Sequence, residues 1–346
     1  MARGDRQADG AEDETDPDGR VVSRRELLAS VGGAGAASAA APRTTRATAD
    51  ASRVRVRVYP GPVPLHGWAH AGVAGMHRDW PLPFRDGFDA IETALERVRE
   101  YASQHSRLEG LEVDVERGSP VRYPLSAADS PGEFVAPSLS TVLETFREQL
   151  ARRDVLAELT THVLFCWSPF NYRVGYGGTL SPNAAIGSSG DDGTDETAET
   201  ADSDTARTPV DGALAVVNLG ATEIWDSRAV TRNMAIHETL HTFLTPEVAA
   251  AVNDSPCDHD LGVAVQSEVD DGRRLQITPM ATSYAGPDRI RVADGAARFA
   301  GRGCANHDAF SRHDGYENVD RWEYTATPTD ATLEAATRYL ERTLSQ

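Results

Sequence analysis

Two histidines four residues apart, with a glutamate beside the first, constrain this 346-residue chain more than any other feature. They lie in Met234-Ala235-Ile236-His237-Glu238-Thr239-Leu240-His241-Thr242-Phe243. Only a helix sets His237 and His241 one turn apart on a single face, where both imidazoles can reach one ion. Glu238 then projects from a neighbouring edge of the same helix, close enough to bond a water at that ion without ligating it. Ile236, Leu240 and Phe243, spaced four and then three, supply an apolar face beside the histidine face. The spacing predicts a helix from about Ser227 to Leu244, stopped by Pro246. The apolar run Ala213–Leu219 before it reads as a buried strand.

The rest of the chain follows the same alternation of elements. Val54, Val56 and Val58 alternate with arginine and predict a strand; Leu111, Val113 and Val115 predict another. Residues 60–83 are rich in Pro, Gly and His and read as loop. Phe88, Ile91, Leu95 and Val98 predict a helix over Gly87–Gln104, and Leu139, Leu143, Phe146 and Leu150 predict a second. His162–Trp167 reads as a buried strand, Tyr172–Leu180 as an edge strand, and Asp330–Leu344 as the last helix. Residues 188–211 are acidic and rich in Gly, Ser and Thr, so a solvated, mobile insertion is expected. The order predicts a mixed α/β (α+β) domain over residues 50–346, with an irregular, smaller C-terminal lobe after Thr245.

The segment from His237 to His241 is an HExxH arrangement, and it resembles that of zinc peptidases. The mechanism that goes with it uses Zn²⁺ to bring bound water toward a pKa of about 7, with Glu238 as general base. Farther on, Ile277-Thr278-Pro279-Met280-Ala281-Thr282-Ser283-Tyr284 is similar to the Met-turn of metzincins, a family of zinc endopeptidases with a mixed sheet and a catalytic helix. The resemblance implies that Met280 underlies the metal and that Tyr284 stabilises an oxyanion or ligates zinc. The family's continuation HExxHxxGxxH is not kept: Leu244 stands at its Gly position and Glu247 at its third-ligand position. His259, in Cys257-Asp258-His259-Asp260-Leu261-Gly262, is the expected third ligand, with residues 246–256 read as an insertion that delays it. Glu247 and Glu268 are the alternatives. Asp258 or Asp260 can orient the His259 ring as an outer acceptor. A second metal site at His66, His70 and His77 is a lesser reading than an exposed aromatic loop. His307 and His313 are read either as the specificity side of the cleft or as surface loop.

Composition narrows the class of partner. Acidic residues number 53 against 34 basic ones, a net charge of −19. That balance argues against nucleic acid and against an electrostatic hold on anionic lipid. All the basic residues are arginine, with no lysine. A lysine-free, acidic surface resembles that of proteins from salt-loving archaea, whose carboxylates stay hydrated in concentrated salt. The three cysteines, Cys166, Cys257 and Cys304, exclude a dense disulfide framework; a single Cys257–Cys304 bridge and two buried thiols are both compatible.

Residues 1–49 read as a polar, disordered start followed by an address. Ser23-Arg24-Arg25-Glu26-Leu27-Leu28 and the Ala/Gly stretch through Ala41 resemble a twin-arginine export signal. The apolar stretch is too short for a bilayer span of roughly 20 residues. The expectation is an exported zinc metallopeptidase, an endopeptidase held outside the cell or loosely at its surface, acting on peptides or proteins. Stable membrane insertion is not expected. Two rivals remain: a secreted, non-catalytic zincin-fold binding protein whose structural zinc takes Cys257 as a fourth ligand, and another zinc amide hydrolase.

Overall fold

A computed structural model describes residues 53–70, 80–108, 110–122, 136–156, 160–180, 212–269, 272–281 and 319–344. The export-signal reading, the acidic 188–211 segment, Tyr284, Cys304, His77, His307 and His313 all lie outside these residues. Within them the architecture is mixed α/β.

The central sheet has five strands: β1 (Arg53–Pro60), β2 (Glu112–Arg117), β3 (Thr160–Cys166), β4 (Gly177–Leu180) and β5 (Ala213–Asn218). Their spatial order is β2-β1-β3-β5-β4. The first four in that order run parallel, and β4 runs antiparallel to β5 at the edge, with Gly177 opposite Val217 and Leu180 opposite Leu214. The central strands are covered on both faces, which is why β3 is buried at every position. On one face Val54, Val56, Val58, Val163, Phe165, Ala215 and Val217 meet the helices α2 (Leu82–His105), α5 (Arg228–Leu240) and α7 (Asp330–Leu344). On the other, Tyr59, Leu164, Cys166, Leu214 and Val216 pack on α3 (Leu139–Arg152). Alternate residues of one strand therefore belong to two separate cores. The arginines of β1 are held by acids of the neighbouring strand: Arg53 lies 2.5 Å from Asp114, and Arg57 2.7 Å from Glu116.

Helix boundaries follow local chemistry. Helix α2 begins five residues before the expected Gly87, because Pro81 and Pro83 suit the first turn and bring Phe84 onto the core stripe. Ser138 caps α3 and Ser227 caps α5, each accepting a bond from the amide three residues on. Two short helices break segments expected to be irregular or extended. Helix α1 (Leu65–His70) lies in the proline-rich loop, and α4 (Leu219–Trp225) is capped by the Asn218 side chain.

Helix α5 ends at Leu240, earlier than its apolar pattern suggests. A 3₁₀ turn follows over His241–Phe243, and Leu244 is extended. The first helix has ended well before Pro246, which holds Thr245 extended and starts the next helix, α6 (Pro246–Asn253), with Thr245 as its cap. Asp254, left-handed at φ 53°, closes α6 and turns the chain back.

The region after Thr245 is more regular than expected. It contains α6, a 3₁₀ turn over Asp258–Leu261, and a second sheet of β6 (Ala264–Val269), β7 (Gly272–Ile277) and β8 (Arg321–Tyr324). In this sheet β6 and β7 form an antiparallel hairpin and β8 lies parallel to β7. The side chain of Asn233 in α5 donates to the Thr325 carbonyl at 2.9 Å, tying α5 to the end of β8. Among the described residues no helix is long and apolar enough to cross a membrane.

Candidate metal centre

The second half of α5, from Asn233 to Leu240, is buried on every side. His241 keeps helical angles at the helix end, so the four-residue spacing brings its Nε2 to 2.9 Å from Nε2 of His237. The third imidazole arrives from the 3₁₀ turn Asp258–Leu261: Nε2 of His259 stands 3.3 Å from Nε2 of His237. The three ring centroids are 4.6, 4.8 and 5.0 Å apart. These histidines are one of two groups among the described residues arranged to hold a metal ion.

The turn that delivers His259 is held from several directions. The Leu261 carbonyl accepts from Thr329 Oγ1 at 2.6 Å and from Thr332 Oγ1 at 3.1 Å, both at the start of α7. Asn253, at the end of α6, donates to the Asp260 carbonyl at 2.7 Å. Ser255 Oγ donates to the Asp260 carboxylate at 2.5 Å.

Asp258 takes the outer-acceptor role, and toward His241 rather than its own neighbour. Nδ1 of His241 donates to Asp258 Oδ2 at 2.5 Å, while Asp258 Oδ1 stands 3.6 Å from Nδ1 of His259. A proton on Nδ1 of His241 leaves the Nε2 lone pair directed inward. Nδ1 of His237 is buried and has no hydrogen-bond partner among the described residues. Burial, and then the neighbouring His241 and His259, hold His237 well below the ordinary imidazole range and keep it neutral. Burial also opposes charge on His241, but the Asp258 carboxylate outweighs it and moves its pKa upward. Burial would raise Asp258 too; His241 and His259 more than offset this and bring it to about 2.

Donor chemistry and spacing both fit a small divalent cation. Tetrahedral zinc with nitrogen ligands at about 2.0–2.1 Å places those nitrogens about 3.3 Å apart. Three nitrogens bearing lone pairs, buried together at this spacing, repel one another unless a cation or a proton sits between them.

Glu238 lies beside the cluster and is almost fully buried. The edge strand β4 roofs it. Thr179 Oγ1 stands 3.3 Å from Glu238 Oε2, and a side-chain carbon at Gly177 would come within 2.8 Å of the Glu238 carboxyl carbon. Burial raises its pKa to about 7 against the opposing effects of His241 and Thr179.

The remaining expectations sort as follows. Glu247 sits exposed at the start of α6, its carboxylate bonded to Thr245, and Glu268 is exposed on β6; neither joins the histidines. Cys257 is disulfide-bonded, so its sulfur is not the thiolate fourth ligand that a closed structural site would need. Cys166 is a free, buried thiol. His66 and His70 are exposed on α1, with His70 Nε2 3.6 Å from Glu223, and they form no metal-holding group among the described residues. The expected edge strand is confined to Gly177–Leu180, because the Asn171 side chain captures the amides of Arg173 and Val174 in a turn. Met280 is fully buried in the same core as Leu261 and α5, at φ 75°. Its turn presses against the chain just after His259: a side-chain carbon at Gly262 would come within 2.0 Å of the Ala281 nitrogen. Sequence reasoning missed Thr329, Thr332 and Asn253. Thr329 and Thr332 stand where a helix N-terminus favours hydroxyls, but their second partner, the Leu261 carbonyl, is 68 and 71 residues away in sequence. No protein-family model matches this chain, and no curated protein or solved structure is significantly similar to it.

Proposed function

We propose that the chain is an exported, zinc-dependent metallopeptidase of metzincin-like architecture. One observation carries the proposal: three imidazole nitrogens from two separated segments converge beside a buried glutamate under an edge strand.

His237, His241 and His259 would hold the ion. Zinc held there would supply Lewis acidity and a bound water of pKa about 7. Glu238 is the general base: its buried carboxylate takes a proton from the attacking water and delivers it to the leaving amine. Thr179 and Gly177 keep the carboxylate close under β4, with no side chain at position 177 to displace it. Among the described residues β4 is an edge of the sheet, and such an edge offers backbone groups to an extended peptide, which suits a peptide substrate. Tyr284 remains the expected oxyanion partner.

The test is metal content and casein hydrolysis by the purified protein in concentrated salt. Wild type should bind one zinc and hydrolyse casein. Glu238→Gln should keep the zinc and lose hydrolysis by about 10²–10⁴-fold, the range for removing a general base. Full activity in that variant, or no zinc in the wild type, would overturn the proposal.

A further inference from the structure

We infer that Asp258 is the positioning residue of this metal centre, fixing which nitrogen of His241 faces the ion while it docks the turn that carries His259. The inference rests on the proposed metal centre and extends it to a residue that touches no metal and no substrate.

The geometry is asymmetric. Three histidines point Nε2 at one another, but their outward nitrogens differ. His241 has a carboxylate oxygen of Asp258 2.5 Å from Nδ1. For His259 the other oxygen of the same carboxylate is 3.6 Å away, within electrostatic reach. Among the described residues His237 has no acceptor on its buried Nδ1. An imidazole ligates through a lone pair, so the proton must sit on the nitrogen facing away from the metal. A carboxylate at that nitrogen enforces this tautomer and orients the ring. One side chain does so for His241 and lies against His259.

Asp258 also belongs to the returning turn, whereas His241 belongs to the end of α5, 17 residues earlier. Their bond crosses from one segment to the other. It brings the neighbouring residue, His259, to the first two ligands without help from the metal. The side chain of Asp258 is almost wholly buried, so the bond is shielded from competing water and salt. Glu268, exposed on β6 and outside the histidine group, supplies the control carboxylate.

The substitution Asp258→Asn keeps size and shape but puts an amide in place of the carboxylate. Its NH₂ can donate to Nδ1 of His241 and so favour the tautomer with a proton on Nε2, which blocks the ligand position. Zinc affinity is to be measured by competition with a chromophoric chelator in the full-length protein. The His241 tautomer is to be read by long-range ¹H–¹⁵N correlation in the metal-free protein at alkaline pH. The expected result is a proton on Nδ1 of His241 in the wild type, and zinc binding weakened at least 10-fold in Asp258→Asn despite an unchanged circular dichroism spectrum. Glu268→Gln, at an exposed carboxylate of β6, should bind zinc as the wild type does. Wild-type affinity in Asp258→Asn, or a wild-type His241 protonated on Nε2, would overturn the inference. If Asp258→Asn fails to fold, the wild-type tautomer still decides. If the wild type binds no zinc, the metal-centre reading fails instead, and the tautomer separately decides the role of Asp258.

Discussion

A single methyl group at Gly177 tests how the edge strand and the proposed base fit together. The added carbon of Gly177→Ala would lie 2.3 Å from the Val216 carbonyl oxygen and 2.8 Å from the Glu238 carboxyl carbon. Contacts of this kind stay above 3.0 Å, so the strand or the glutamate must move by at least about 0.7 Å. The carbonyl is backbone of a central strand and cannot yield without opening the β4–β5 ladder. Overpacking of this kind costs about 1–3 kcal/mol of stability. Displacing a catalytic group by about 1 Å costs on the order of 10²-fold in rate, equivalent to ~2.7 kcal/mol of barrier. Gly178→Ala is the matched control. Its new carbon meets only the end of the Leu139 side chain, at 2.2 Å, which can rotate away. The assay is kcat/KM on a fluorogenic peptide in concentrated salt, with zinc content and denaturant midpoint measured in parallel. Gly177→Ala should keep its zinc, lose about 10²-fold in kcat/KM and unfold earlier, while Gly178→Ala stays near wild type. Equal rates and midpoints for Gly177→Ala and wild type would refute the reasoning.

Two further outcomes follow from the geometry. His259→Ala should abolish stoichiometric zinc binding, whereas Glu247→Ala and Glu268→Ala should leave it intact, since among the described residues only His259 converges on the other two imidazoles; metal analysis after dialysis decides this, and zinc retained by His259→Ala would move the third ligand elsewhere. Burial first, and Arg57 second, lower the pKa of His162 to about 4, with its Nδ1 at 3.0 Å from the Tyr59 hydroxyl. A folded-state pKa below the unfolded value of about 6.5 stabilises the protein above pH 6.5, and that stability is lost as pH falls toward 4. The gap corresponds to ~3 kcal/mol, so the denaturant midpoint should drop over this window, and His162→Gln should flatten the drop. An equally steep profile in the variant would show that His162 is not responsible.

Where a single element carries its own signal, the sequence was sufficient. The stripe Phe88, Ile91, Leu95, Val98 specifies α2 wherever it lies in the fold, and the alternation of Val54, Val56 and Val58 specifies β1. The last helix runs over the expected Asp330–Leu344 for the same reason. The second sheet was not legible. Its strands are short, and β6 leaves Val265, Gln266 and Glu268 exposed, so no clean apolar alternation marks it. The short helices α1 and α4 depend on a few packing and capping contacts. Gly67 fits against Trp167, and Asn218 bonds both the start of α4 and the loop after β3.

The site divides along the same line. His237, Glu238 and His241 share one helix, and helical periodicity alone fixes their relative directions. Their burial and the third donor depend on groups far apart in sequence. His259 arrives because Asp258 binds His241, because Thr329 and Thr332 hold the Leu261 carbonyl, and because Gly262 admits the Met280 turn. Likewise β4 becomes the roof over Glu238 only because β5 accepts it antiparallel and Gly177 has no side chain. Local periodicity is written in neighbouring residues, so the sequence by itself determined the helix and two of its donors. Convergence is a property of long-range contacts, so only the tertiary structure decided which third histidine completes the cluster and what covers the base.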